Sequence, residues 1–105
     1  MVTSPPREKI LIVDDEKTVR RSLNKCLTRS GFACDEAGNA REAMANLEKN
    51  PTDLVILDIM MPGTSGSELL PQIKNSYPDT AVVMATAVVE PDTIKRLVGN
   101  VELNQ

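Results

Sequence analysis

The chain has 105 residues, of which 41% are hydrophobic and 26% charged, and a net charge of −3; that composition suits one globular domain. Its basic residues are scattered, so neither nucleic acid nor an anionic membrane surface is expected as a direct partner, and no apolar run reaches the roughly 20 residues of a membrane helix. Histidine is absent, which removes Ser-His-Asp catalysis, His-ligated zinc and phosphohistidine carriage and leaves carboxylates, hydroxyls, lysines and backbone to do any chemistry.

Residues 1–8, with the Pro5-Pro6 pair, read as a flexible lead-in that lacks the apolar centre of a signal peptide, so a cytoplasmic domain over 9–105 is expected. Lys9–Val13 is the first strand: an unbroken aliphatic run suits a parallel strand covered on both faces. It runs directly into Asp14, Asp15 and Glu16. A helix follows with Val19, Leu23, Cys26 and Leu27 on one face and Gly31 as its stop. Phe32–Ala37, mixed in polarity, predicts a short strand near a sheet edge. Asn39 caps the next helix with Glu42 as reciprocal partner, and Ala40, Ala43, Met44 and Leu47 form its buried stripe ahead of Pro51.

Leu54–Leu57 is a third aliphatic strand, and like the first it runs into an acid, Asp58. The loop Ile59 to Gly66 carries Pro62, Gly63 and Gly66. Leu69, Leu70 and Ile73 predict a third helix bent by Pro71. Ala81–Ala85 is a fourth buried strand that delivers Thr86, and a further helix begins near Pro91 or Asp92. Aromatic residues are only 2% of the chain, so Ile, Leu, Val, Ala and Met must build the core. Cys26 and Cys34 form no C-x-x-C pair and are expected as small core residues. Lys17, Arg20 and Arg21 are expected to form a solvated helix face.

Alternating strands and helices imply an α/β fold with right-handed crossovers, here the flavodoxin-like doubly wound parallel sheet of order 2-1-3-4 with a fifth strand short or missing. That order sets Asp14, Asp15 and Asp58 side by side at the carboxyl ends of strands one and three, the edge where open α/β sheets bind ligands. Carboxylates so gathered repel, and either protons or a divalent cation must relieve them. An all-oxygen set suits Mg2+, whose open positions can take phosphate oxygens. With the charge masked, one aspartate can attack phosphorus and form an acyl phosphate. The Thr86 hydroxyl, at the same edge, can hydrogen-bond a phosphoryl oxygen.

The blocks VDDE at Val13–Glu16, LDIMMPGTSG at Leu57–Gly66 and MATA at Met84–Ala87, in this order and on these strand ends, resemble the receiver domain of two-component response regulators. The resemblance implies that Asp58 accepts a phosphoryl group from a phosphohistidine on a sensor histidine kinase. It implies Mg2+ bound directly by Asp15, largely through water by Asp14, and by Asp58 and the backbone carbonyl of Met60. Thr86 matches the switch hydroxyl, Ala87 leaves room for phosphate, and Pro62, Gly63 and Gly66 match the loop after the phosphoacceptor. Such a domain is a phosphoacceptor rather than an enzyme, with at most slow self-catalysed transfer and dephosphorylation.

The C-terminal region departs from the family pattern. No Lys-Pro follows Thr86, neither Lys74 nor Lys95 is assigned the role of the family's lysine, and Val98 to Gln105 predicts a short edge strand or a frayed end. The domain is therefore expected to be truncated after its fourth helix. An alternative follows: a receiver-derived interaction module, impaired in phosphorylation, that forms a homodimer through its exposed edge. A phosphohydrolase with an aspartyl nucleophile is a third reading, weakened because Asp14 and Asp15 are adjacent, whereas such enzymes separate their acids by one residue.

Overall fold

The computed structural model describes residues 8–58 and 66–85. Among these, β1 (Lys9–Val13), α1 (Lys17–Arg29), β2 (Ala33–Ala37), α2 (Ala40–Lys49), β3 (Leu54–Asp58), α3 (Gly66–Ser76) and β4 (Ala81–Ala85) follow one another. The strands form one parallel sheet in the order β2-β1-β3-β4, the flavodoxin-like arrangement expected from the alternation. The helix expected from Pro91 or Asp92 and the segment Val98 to Gln105 lie outside the described residues.

Because successive strand residues face opposite sides, each aliphatic run feeds two cores. Leu11, Val13, Val55 and Leu57 pack with Ala43 and Leu47 of α2 and with Leu69 and Ile73 of α3. Ile10, Ile12, Leu54 and Ile56 pack on the other face with Leu23 and Leu27 of α1 and with Phe32. Each of these side chains is essentially removed from water, a contribution of about 1.5–3 kcal/mol apiece for the larger ones. Burial on both faces explains why β1 and β3 show no polar alternation.

The outer strands differ from the inner pair. Among the described residues β2 lies at an edge, as its polarity predicts, and Lys9 of β1 is tied to its Asp35 at 3.0 Å. Phe32 precedes the strand instead of opening it; its side chain is buried under α1 and its N–H donates to the Leu27 carbonyl. Ala81, Val82, Val83 and Met84 of β4 are only half-buried, where a buried strand was expected. β4 has one hydrogen-bonded neighbour among the described residues, β3, so sheet pairing shields it from one side.

The helix ends follow local rules. Gly31 adopts φ 101°, a conformation that costs little without a Cβ, and closes α1 with its N–H on the Thr28 carbonyl. The Asn39 side chain accepts from the Glu42 N–H at 2.8 Å. The return bond from Glu42 reaches the Gly38 N–H at 2.7 Å, one residue earlier than a strict reciprocal box would place it. Pro71 lies inside α3, and Gly66 opens that helix instead of closing the preceding loop.

Cys26 does not join the core: it is exposed. The inward face of α1 centres on Arg20, Leu23, Asn24 and Leu27, and at about 100° per residue Cys26 falls on its solvent flank. Cys34 is half-buried against the α1-side core, and burial pushes its thiol up, away from the thiolate. No helix among the described residues is long and apolar enough to cross a membrane.

Candidate functional site

The parallel register aligns Val13 with Leu57 and with Ala37, and Asp58 with Ala85. Asp14 and Asp15 leave β1 at the level where Asp58 ends β3, so the adjacent central strands bring the acids together. A carboxylate oxygen from each of Asp14, Asp15 and Asp58 lies within 4.8 Å of the others. Asp15 is exposed, whereas Asp14 and Asp58 are half-buried. Asp14 and Asp15 also precede the first turn of α1, where unpaired N–H groups favour anionic side chains.

The backbone of Asp14 is held on both sides. Its N–H donates to the Ala37 carbonyl at 3.1 Å, and its own carbonyl accepts from Arg20 Nη1 at 2.8 Å. Its carboxylate Oδ1 accepts the Glu16 N–H at 2.9 Å, a local turn of the kind aspartate favours. Burial pushes the Asp14 carboxyl above its ordinary value; the Glu16 N–H pulls it down, while the charges of Asp58 and Asp15 and a hydrogen bond with Asp58 push it further up. A cluster of this kind holds negative charge at a cost.

That cost is a test of fit for a cation. The donors are all carboxylate oxygens, close enough to share one ion, and neither cysteine nor histidine belongs to the group. A hard divalent cation such as Mg2+ accepts one or two carboxylates and completes its octahedron with water, so an exposed Asp15 beside two half-buried partners fits. Of the other residues read as site members, Met60, Thr86 and Ala87 lie outside the described residues, as do Pro62 and Gly63. Lys74 is engaged elsewhere: its ammonium donates to the Thr80 carbonyl at 3.2 Å, just ahead of β4 and at the opposite edge of the sheet from the acids. Lys95 lies outside the described residues.

Arg20 departs from the solvated face expected of it. Lys17 and Arg21 are exposed, but the Arg20 side chain is 16% exposed and its Nε meets Glu36 Oε1 at 3.0 Å. Asn24 Nδ2 donates to the other Glu36 oxygen at 2.8 Å. A signal for this was available: Arg20, Leu23, Asn24 and Leu27 recur at the spacing of one helix face, and two of the four are core residues.

Residues 10–102 match the response regulator receiver domain family. The transcriptional regulatory protein ResD of Bacillus subtilis is 50% identical over 80 residues, 75% of this chain and 32% of that protein, so the chain spans about a third of that relative's length. Sporulation initiation phosphotransferase F of the same species is 38% identical over 88 residues, 84% of this chain and 71% of that one. Among solved structures, the response regulator TrrA of Thermotoga maritima, determined in complex with Mg(2+)-BeF, superposes with a TM-score of 0.78 at 29% identity, covering 90% of this chain and 98% of that one. Matched along most of its length and built on the same parallel sheet, the chain belongs to the receiver domains of two-component response regulators.

Proposed function

We propose that this receiver domain accepts a phosphoryl group on Asp58 from a phosphohistidine of a sensor histidine kinase, in the cytoplasm and with Mg2+ bound at the acid cluster. The observation that carries this reading is the meeting of Asp14, Asp15 and Asp58 at the carboxyl edge of the central strands. A carboxylate oxygen of Asp58 attacks phosphorus, an O–P bond forms, and the P–N bond to the imidazole breaks, with the electron pair leaving on the ring nitrogen, which is then protonated. Mg2+ held by Asp15 and Asp58, by Asp14 through water and by the Met60 carbonyl would supply neutralisation of the phosphoryl oxygens. The chain's own part is positioning, which is most of what phosphoryl transfer asks of a protein. The Thr86 hydroxyl donates to a phosphoryl oxygen, and the small side chain of Ala87 leaves room for it. The determination of TrrA with Mg(2+)-BeF supports the same chemistry here.

The domain is on this reading a signalling module rather than an enzyme acting on a separate substrate: the added charge biases its surface between two states. Incubation with acetyl phosphate and Mg2+ is expected to add one phosphoryl group, about 80 Da by intact mass. The adduct should fail to form when the metal is chelated before the donor is added, and in Asp58→Asn. No adduct on the wild-type chain, or one that persists in Asp58→Asn, would contradict the assignment.

A further inference from the structure

We propose that Arg20 is a positioning residue for the acid cluster: its guanidinium, bound at once to the Asp14 carbonyl and to Glu36, fixes the peptide that joins Asp14 to Asp15 and so sets the directions of their carboxylates for a cation. This inference rests on the cation-binding reading of Asp14, Asp15 and Asp58 given above.

The Asp14 carbonyl belongs to the peptide plane between the two acids. Peptide planarity leaves that unit rotation only about the bonds flanking it, so holding its oxygen restrains ψ of Asp14 and φ of Asp15 together. Nη1 of Arg20 holds that oxygen at 2.8 Å. The N–H of Asp14 is held independently by the Ala37 carbonyl at 3.1 Å. With both ends of the residue fixed, the Cα–Cβ directions of the two acids are restrained, and the Glu16 N–H holds the Asp14 carboxylate in one rotamer, so less is left to be searched for at each binding event.

The guanidinium is itself braced. Its Nε bonds Glu36 on β2 at 3.0 Å, and the second Glu36 oxygen is taken by Asn24, four residues along α1 from Arg20, at 2.8 Å. Asn24 in turn accepts from the Thr28 hydroxyl at 2.9 Å. On another side the guanidinium lies against the turn after β2: a Cβ placed on Gly38 would stand 3.3 Å from Nη1. Arg20 therefore ties together α1, the carboxyl end of β1 and β2. Its positive charge is paired with Glu36, so it acts on the acids through geometry. The guanidinium serves Glu36 and the Asp14 carbonyl from two different nitrogens, Nε and Nη1; a lysine keeps the charge but has one nitrogen to stand in for both.

A purely structural role is the competing reading, and Lys9 supplies the control. Lys9 also ties β1 to β2, through Asp35 at 3.0 Å, but from the first residue of β1, at the other end of that strand from the acids. Mg2+ titrations of the wild-type chain, Arg20→Lys, Arg20→Met, Lys9→Met and Asp15→Asn, with urea unfolding of each, separate the two. Arg20→Lys and Arg20→Met are expected to weaken Mg2+ binding about tenfold or more, the usual effect of removing a group that orients a ligand, while Lys9→Met leaves the affinity unchanged whatever it does to stability. In metal-free protein, Arg20→Lys should also lose protection of the Glu16 amide, which Asp14 Oδ1 holds at 2.9 Å, against hydrogen exchange. Wild-type affinity retained in Arg20→Lys, or a loss of equal size in Lys9→Met, would overturn the proposal while leaving the cation site standing. A wild-type chain that shows no Mg2+ binding overturns the cation reading instead, and the Glu16 exchange comparison still decides whether Arg20 fixes the peptide.

Discussion

Asp14 is anchored through its backbone and penalised through its charge. The Ala37 carbonyl and Arg20 hold its peptide groups, while burial and the neighbouring charges of Asp58 and Asp15 raise its carboxyl above the ordinary value. A raised carboxyl binds its proton more tightly in the folded state than in the unfolded chain, so the penalty is absent below about pH 4, where both states are protonated, and grows as pH rises through the raised value. In chelated protein, Asp14→Asn keeps an oxygen to accept the Glu16 N–H and removes the charge. It should therefore unfold at a higher temperature than wild type at pH 7, with the gap closing as pH falls toward 4. A gap of constant size across that range, read from thermal melts, would mean that the charge is not the source of strain. At this scale the acids were legible in the sequence because each ends an aliphatic run. Arg20 was legible only in part: its spacing with Leu23 and Leu27 sets it on the inward face of α1, but the carboxylate it meets there, Glu36, is placed only by the fold.

Individual elements separate into those fixed by strong local patterns and those decided by packing. α1 docks through Leu27, which is fully buried, whereas Cys26 beside it in sequence is exposed. Leu27→Ala should cost about 2–5 kcal/mol, and Cys26→Ala should stay within about 0.5 kcal/mol of wild type, both measured by urea unfolding. Equal costs at the two positions would show that the inward face of α1 has been misplaced. The cap at Asn39, the stop at Gly31 and the two aliphatic strands were legible because each depends on residues close in sequence. The position of Cys26 was not: apolar spacing alone leaves open which flank of the stripe turns to solvent, and here polar Arg20 and Asn24 draw the helix toward Glu36. The half-buried state of β4 was not legible in the strand itself, since an aliphatic run reports only a preference for burial, although the exposed edge expected from the C-terminal departure pointed that way.

Across the whole molecule, the order β2-β1-β3-β4 makes one sheet with two cores and places the strands that end in acids next to each other. The alternation of strands and helices made that order legible, because right-handed crossovers leave few arrangements for so short a chain. The acid cluster is therefore a consequence of topology as much as of residue type: Asp58 is distant from Asp14 in sequence, and only the pairing of β1 with β3 brings their carboxylates within reach. The central proposal, that Asp58 alone carries the phosphoryl group, is tested most directly by chemical trapping. After incubation with acetyl phosphate and Mg2+, borohydride reduces an acyl phosphate to the alcohol and leaves homoserine in place of the modified aspartate, which peptide mass mapping locates. Homoserine at position 58 and at neither 14 nor 15 is the expected result. Reduction at Asp14 or Asp15, or phosphate retained on a hydroxyl that borohydride leaves untouched, would contradict it.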